Sequence, residues 1–170
     1  MKQTMIVAIW LASLLGFGQT KPTDTNKPIT TKYAGRYSYG NNIDKGRVGV
    51  MYVYAETDSS ILFYLELNRG APSYSMGSIY NSVKIKNDTG TFYTKFAYAT
   101  DGCKWIFRFS KNRLTLATVN SAYDCDFGHG VFADGDFKRT SNIPPDSFID
   151  LEGKTIHFAT TKPQEYNKSE

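Results

Sequence analysis

The alternation typical of a β-strand is clearest in the stretch Cys103-Lys104-Trp105-Ile106-Phe107-Arg108-Phe109. Its odd-numbered residues are cysteine or aromatic, and its even-numbered residues include Lys104 and Arg108. Because side chains alternate between the two faces of an extended chain, this pattern places apolar groups on one face and charges on the other. The stretch therefore predicts a strand of an antiparallel sheet with one face buried and one face in solvent.

Short runs of aromatic and β-branched residues, separated by turn residues, extend in both directions from this stretch. The predicted strands are residues 33–39, 47–56, 61–67, 78–86, 91–98, 103–109, 113–119 and 131–138. Short connections favour pairing in chain order, and closing such a meander removes exposed edges. We therefore predict an all-β fold, an antiparallel meander of about eight strands that forms a small closed or partly closed barrel.

Residues with special backbone preferences mark the turns and boundaries. Asn87-Asp88-Thr89-Gly90 predicts a hairpin turn, since Asn, Asp and Gly tolerate a positive φ. After Pro144-Pro145, residues 146–152 predict a helical turn and residues 155–158 a short extra strand. We expect one barrel domain over residues 33–160, between flexible tails at residues 19–32 and 161–170.

The first residues follow the order of a cleavable secretory signal peptide. Lys2 supplies a positive charge, residues 5–17 form an uncharged and mainly apolar run, and Gly16 and Gly18 are the small residues before cleavage at Gln19. This run is about 13 residues long, whereas a membrane span needs about 20. We predict that residues 1–18 are removed, that the mature chain is secreted or periplasmic, and that no transmembrane anchor remains.

The chain has two cysteines, Cys103 and Cys125. In an exported protein an even number of cysteines indicates disulfide bonding. We predict one Cys103–Cys125 disulfide, which closes a loop of about 20 residues and contributes on the order of 3 kcal/mol to stability.

Charge is distributed unevenly along the chain. The formal net charge is +4, and loss of Lys2 leaves +3, a balance that does not indicate nucleic-acid binding. Residues 84–113 carry a net charge of +5, whereas residues 114–170 carry −4. Four basic side chains of the predicted strands alternate with apolar residues and share an outer face; they are Lys84, Lys86, Lys95 and Arg108. This face is a candidate docking site for an acidic protein or an envelope polyanion, and the alternative is a solvated sheet face.

The aromatic content, with 12 Tyr and 11 Phe, raises a second hypothesis. An eight-stranded barrel can enclose one small apolar ligand. The candidate ligand-lining residues are Tyr52, Phe63, Trp105 and Phe107. In a carrier these side chains would line a cavity of about 300 Å³ or more, and otherwise they would fill the interior themselves.

Motifs for catalysis are sparse. The chain has two histidines, His129 and His157, and lacks a Gly-x-Ser-x-Gly elbow and a phosphate-binding glycine loop. Glu56 and Glu66 are the candidate carboxylate pair of a hydrolase, because they lie on adjacent predicted strands.

A polar segment after Cys125 raises the question of a metal site. The candidate ligands are Asp124, Asp126 and His129, since carboxylates and imidazole bind divalent ions. An EF-hand loop beginning at Asp124 would need an acid where Gly135 stands. The alternative is tight backbone geometry beside the disulfide. We predict neither a metal nor another cofactor.

Residues 103–109, 112–116 and 125–137 resemble the end of an exported bacterial β-barrel domain found in many uncharacterised proteins. The motif is Cys-x-Phe-Gly-x-Gly-Val-x-Ala-Asp-Gly, at residues 125–135. The resemblance implies a barrel with a Cys103–Cys125 disulfide. The domain is similar in build to small periplasmic lysozyme inhibitors, which implies recognition of a target by a loop, and Ser121-Ala122-Tyr123 partly matches their loop motif.

Three functions follow as expectations. The first is an exported, non-catalytic binding protein, an inhibitor or immunity-type factor for an envelope enzyme, whose partner is a protein or an envelope polyanion. The second is a lipocalin-like carrier of a small apolar ligand. The third is a hydrolase. The first two differ in where recognition occurs, on the outside of the barrel or within it.

Overall fold

A computed structural model describes residues 27–97, 99–119 and 121–167. The predicted signal peptide, residues 1–18, and most of the predicted tail at residues 19–32 lie outside these ranges. The remaining part of that tail is structured, because Ile29–Tyr33 forms a short 3-10 helix in which Thr30 is buried. The Thr30 hydroxyl donates to the Ser60 carbonyl at 3.3 Å. The barrel domain therefore begins a few residues earlier than predicted.

Eight antiparallel strands form a closed barrel in which each strand pairs with the next and the last pairs with the first. They are β1 (Gly35–Tyr39), β2 (Val48–Ala55), β3 (Ser60–Asn68), β4 (Met76–Lys86), β5 (Thr89–Thr94), β6 (Cys103–Ser110), β7 (Arg113–Thr118) and β8 (Gly135–Ser141). The predicted fold class, an antiparallel meander closed into a barrel, is confirmed.

Two strands are shorter than predicted or displaced along the chain, and side-chain contacts explain why. β5 ends at Thr94 rather than near residue 98, and the Lys95 ammonium then donates to the Thr100 carbonyl within a loop. β8 begins at Gly135 rather than at residue 131. Immediately before it, Asp134 accepts hydrogen bonds from the backbone and hydroxyl of Thr118 at 2.8 and 2.6 Å, which holds the preceding segment as a loop.

The turn between β4 and β5 consists of Asn87 and Asp88 alone. Both have positive φ values, 50° and 60°, in the left-handed region that Asn and Asp tolerate better than most residues. Two left-handed residues in succession match the right-handed twist of a hairpin. Thr89 and Gly90, predicted as part of the turn, are instead the first residues of β5.

Aromatic side chains fill the barrel interior. Phe63 of β3 is fully buried, and its ring centroid lies 5.4 Å from that of Phe92, 6.4 Å from that of Trp105 and 5.0 Å from that of Phe107. Burial of each such ring contributes on the order of 2–3 kcal/mol through the hydrophobic effect. The inward residues of the strands therefore form one continuous core.

A second apolar cluster lies outside the barrel. Residues after β8 form β9 (Ser147–Ile149), β10 (Thr155–His157) and α1 (Pro163–Tyr166). The Phe148 ring stacks on Tyr64 at 3.9 Å, and Phe158 stacks on Tyr54 at 5.4 Å. We call residues 143–167 the C-terminal strap, because they cover the outer face of β2, β3 and β4.

The strap corrects two predictions. Residues 146–152 contain strand β9 rather than a helical turn, since Ser147–Ile149 pairs with Thr155–His157. The predicted flexible tail at residues 161–170 includes α1, in which Pro163 and Tyr166 are buried. The short extra strand predicted at residues 155–158 is confirmed as β10. None of the helices in the described ranges has the length and apolar character needed to cross a bilayer.

Candidate binding surfaces

The predicted disulfide is present. Cys103 and Cys125 are bonded, with an S–S distance of 2.13 Å and a Cα–Cα distance of 4.6 Å. Cys103 begins β6, and Cys125 ends a 3-10 helix, Ala122–Cys125. The bond therefore fixes the loop before β8 against one end of the barrel.

The four candidate ligand-lining residues do not lie together. Phe63, Trp105 and Phe107 point inward and are fully buried, in ring-to-ring contact with their neighbours. Tyr52 lies on the outer face of β2, where its ring contacts Tyr64 and the Arg36 guanidinium. The assignment of Tyr52 to the interior was wrong, and the other three side chains fill the space that a carried ligand would occupy.

Three of the four predicted basic residues share an outer face. Lys84, Lys86 and Arg108 are exposed, and Lys86 and Arg108 both flank Thr89 in the sheet register. Strands lie about 4.8 Å apart, so the Cα atoms of Lys86 and Arg108 are about 10 Å apart, and those of Lys84 and Lys86 about 7 Å. We call these three side chains the basic face.

Lys95 does not belong to the basic face. It follows the end of β5, and its ammonium is bonded to the Thr100 carbonyl at 3.0 Å. The prediction placed it on a longer strand. Lys104 of β6 lies opposite Tyr93 and is half-buried, on the same side of the sheet as Arg108.

The acids nearest the basic face have other partners. Asp88 accepts hydrogen bonds from the Lys32 ammonium at 2.8 Å and from the Tyr33 hydroxyl at 2.6 Å, which hold the pKa of its carboxyl below the ordinary value. Asp136 lies 3.4 Å from the Arg113 guanidinium. Within the described ranges the three cations of the basic face form no ion pair.

A cleft opens between β4 and β5 at residues 76–81 of β4, further from the β4–β5 turn than the basic face. These two fully described strands pair only next to their turn, through Ile85–Gly90 and Lys86–Thr89. Beyond those pairs they diverge around a space of about 630 Å³. The Asn167 side-chain amide approaches the Tyr80 carbonyl at 3.5 Å, and the Gly128 backbone donates to the Met76 carbonyl at 2.9 Å. Other segments therefore contact parts of the β4 edge.

The candidate metal ligands are not grouped. The described residues contain no cluster of three or more His, Cys, Asp or Glu side chains arranged to hold a metal ion. Asp124 instead accepts a hydrogen bond from the Asp101 backbone at 3.0 Å, and Asp126 caps the 3-10 helix in a left-handed conformation. These contacts match the alternative interpretation of tight backbone geometry beside the disulfide.

The candidate carboxylate pair is also separated. Glu56 follows the last residue of β2, whereas Glu66 lies opposite Val50 in the same strand pair. The two residues are therefore six positions apart along the strands, which corresponds to about 20 Å. The two catalytic carboxyl groups of a glycosidase lie about 5–10 Å apart. Glu56 lies near Ser60 and Lys162, at 3.0 and 3.6 Å.

One surface that the sequence analysis did not predict lies at an end of the barrel. A recess of about 470 Å³ is lined by Arg47, Arg69, Tyr123, His129 and Phe132, together with two glycines. Arg47 and Arg69 are distant in the chain and do not belong to a sequence motif. They meet because the start of β2 pairs with the end of β3, a register that only the fold reveals.

Comparison with protein families, with curated proteins and with solved structures finds no match to this chain.

Proposed function

We propose that this protein is an exported, non-catalytic binding protein that recognises an acidic partner protein through the basic face. The observation that carries the proposal is the exposure of Lys84, Lys86 and Arg108 on adjacent strands without ion-pair partners in the described ranges. Lysines that serve solubility alone need no such grouping. Grouped like charges instead favour a partner of opposite potential.

The packed interior supports recognition on the outside of the barrel. Phe63, Trp105 and Phe107 are fully buried against other core side chains. A carrier of the lipocalin type needs interior space for its ligand. The aromatic residues that suggested a carrier thus fill the interior, which favours a rigid scaffold with its binding site on the outer surface.

The disulfide supports export. Disulfides persist in oxidising compartments and are rare in the cytosol. Together with the signal-like residues 1–18, the Cys103–Cys125 bond suits a protein that acts in the cell envelope or outside the cell. An acidic envelope enzyme, inhibited or neutralised by this barrel, is the partner class that we propose.

The cleft between β4 and β5 suits an extended segment of such a partner. Strand edges that are not fully paired accept additional chains through backbone hydrogen bonds. β4 borders the cleft at residues 76–81 and carries Lys84 and Lys86 closer to its turn with β5. A partner loop with acidic residues would therefore contact backbone groups and cations from one strand.

The test is quantitative capture of exported proteins by immobilised chain 19–170. The variant Lys86→Glu/Arg108→Glu reverses two charges of the basic face, and the control Lys45→Glu/Lys154→Glu makes the same change in net charge at exposed sites elsewhere. We expect at least one acidic protein to be captured by the wild type and the control, and to be depleted with the basic-face variant.

Equal depletion by both variants would show that only net charge matters, and capture unaffected by either would contradict the proposal. Capture of polyanionic glycan in place of protein would assign the face to the alternative partner class. Thermal unfolding of each variant, with a Tm near that of the wild type, controls for misfolding.

A further inference from the structure

We infer that the recess at the barrel end binds a small carboxylate carried on a ring, either aromatic or sugar. The recess has a volume of about 470 Å³, within the range of small-molecule sites. Its lining combines two arginines, one histidine and two aromatic residues. No step of the proposed partner binding uses this surface.

Three separate segments form the recess, and backbone contacts hold them together. The Ala71 backbone donates to the Ile43 carbonyl at 3.1 Å, which joins the loop before Arg47 to the loop after Arg69. The Arg69 guanidinium approaches the His129 carbonyl at 3.5 Å, which joins the third segment. The site is therefore organised by the fold rather than by one flexible loop.

Glycine is needed where the third segment passes Arg69. Gly130 has φ of 72°, and a Cβ atom at this position would lie 2.8 Å from the Arg69 guanidinium carbon. The missing side chain lets the guanidinium lie close to the backbone of residue 130. Such an arrangement fixes the direction of a long side chain and lowers the entropy that binding would cost.

The charge of the recess is uncompensated. Neither Arg47 nor Arg69 forms an ion pair with a carboxylate in the described ranges, and the recess lining contains no acid. Two guanidinium groups in one recess repel each other, and an anion between them would relieve that repulsion. The planar guanidinium fork matches a carboxylate in a bidentate geometry.

The aromatic walls indicate what carries the carboxylate. Tyr123 is 71% exposed, and its ring centroid lies 6.0 Å from that of Phe132 in an edge-to-face arrangement. A ring as exposed as Tyr123 leaves its face open for an apolar or sugar ring to pack on. The disulfide fixes Tyr123 through the 3-10 helix that Cys125 ends.

The experiment is an NMR titration of ¹⁵N-labelled chain 19–170 with benzoate, D-glucuronate, glucose and inorganic phosphate. We expect benzoate or glucuronate to shift the amides of residues 46–47, 69–70 and 129–132 in a saturable manner, and glucose to leave them unchanged. Which of the two carboxylates binds more tightly identifies the carrying ring. Tighter binding of phosphate than of either carboxylate would overturn the assignment.

Two variants test the residues directly. Arg47→Gln, at an exposed position, should weaken carboxylate binding about tenfold, the loss expected for one charge-assisted contact. Tyr123→Ala should weaken it as well, because the packing surface is removed. The basic-face variant Lys86→Glu/Arg108→Glu should bind the carboxylate as the wild type does. Wild-type affinity in Arg47→Gln would contradict the inference, and it would leave the proposed partner binding untouched.

Discussion

At the scale of single residues, Asp88 connects the turn, the N-terminal segment and the barrel. It adopts a positive φ in the β4–β5 turn and accepts hydrogen bonds from Lys32 and Tyr33. These bonds join the 3-10 helix Ile29–Tyr33 to the hairpin. Because they favour the ionised carboxyl, they lower its pKa in the folded state.

The lowered pKa predicts how stability depends on pH. A carboxyl with a depressed pKa contributes stability above its unfolded pKa and loses it as pH falls through the folded pKa. We expect Asp88→Asn, which still tolerates the turn, to be less stable than the wild type at neutral pH. Urea unfolding should show this difference shrinking below about pH 4. A difference that is constant down to pH 2 would show that the carboxylate is not responsible.

The disulfide gives a second prediction at this scale. Replacing Cys103 and Cys125 with Ser should lower the free energy of unfolding by about 2–5 kcal/mol, since the unfolded chain has more conformational freedom without the bond. Denaturant unfolding of the oxidised wild type and the double variant measures this value. Equal midpoints would mean that the bond adds no stability.

At the scale of elements, the C-terminal strap explains why the sequence pattern predicted the inward face of some strands and not of β2. β6 and β7 alternate between fully buried and more exposed residues, and their predicted positions agree closely with the structure. β2 is apolar on both faces, with Met51 and Val53 inside and Tyr52 and Tyr54 outside. The alternation of residues does not show which of these two faces points into the barrel. The strap that covers the outer face lies about 100 residues further along the chain.

Burial under the strap predicts a large difference between two adjacent residues. Phe148 is 2% exposed and Ile149 is 62% exposed, so they point to opposite sides of β9. Phe148→Ala should reduce stability by about 3–5 kcal/mol, because it leaves a cavity against Tyr64 and Tyr80. Ile149→Ala should change stability by less than about 0.5 kcal/mol. Similar losses in chemical denaturation would mean that the strap is not packed as described.

At the scale of the whole molecule, function depends on which surfaces the closed barrel leaves available. Closure through β1 and β8 and the aromatic interior are why we propose recognition on the outside of the barrel. The basic segment predicted from residue charges corresponds to β4–β6, but only the register showed that Lys84, Lys86 and Arg108 group together and that Lys95 does not. The recess at the barrel end had no sequence signal, because its arginines are brought together by strand pairing.

The most direct test of the central claim is the association rate of the captured acidic partner with wild-type chain 19–170 and with Lys86→Glu/Arg108→Glu. Electrostatic attraction mainly raises the rate at which the two proteins encounter each other. This attraction weakens once the Debye length falls to about 8 Å at physiological ionic strength. We predict a clearly slower association for the variant at low ionic strength, a gap that narrows as salt is added, and an unchanged Tm. Equal association rates at low ionic strength would contradict the account and leave the basic face as a solvated surface.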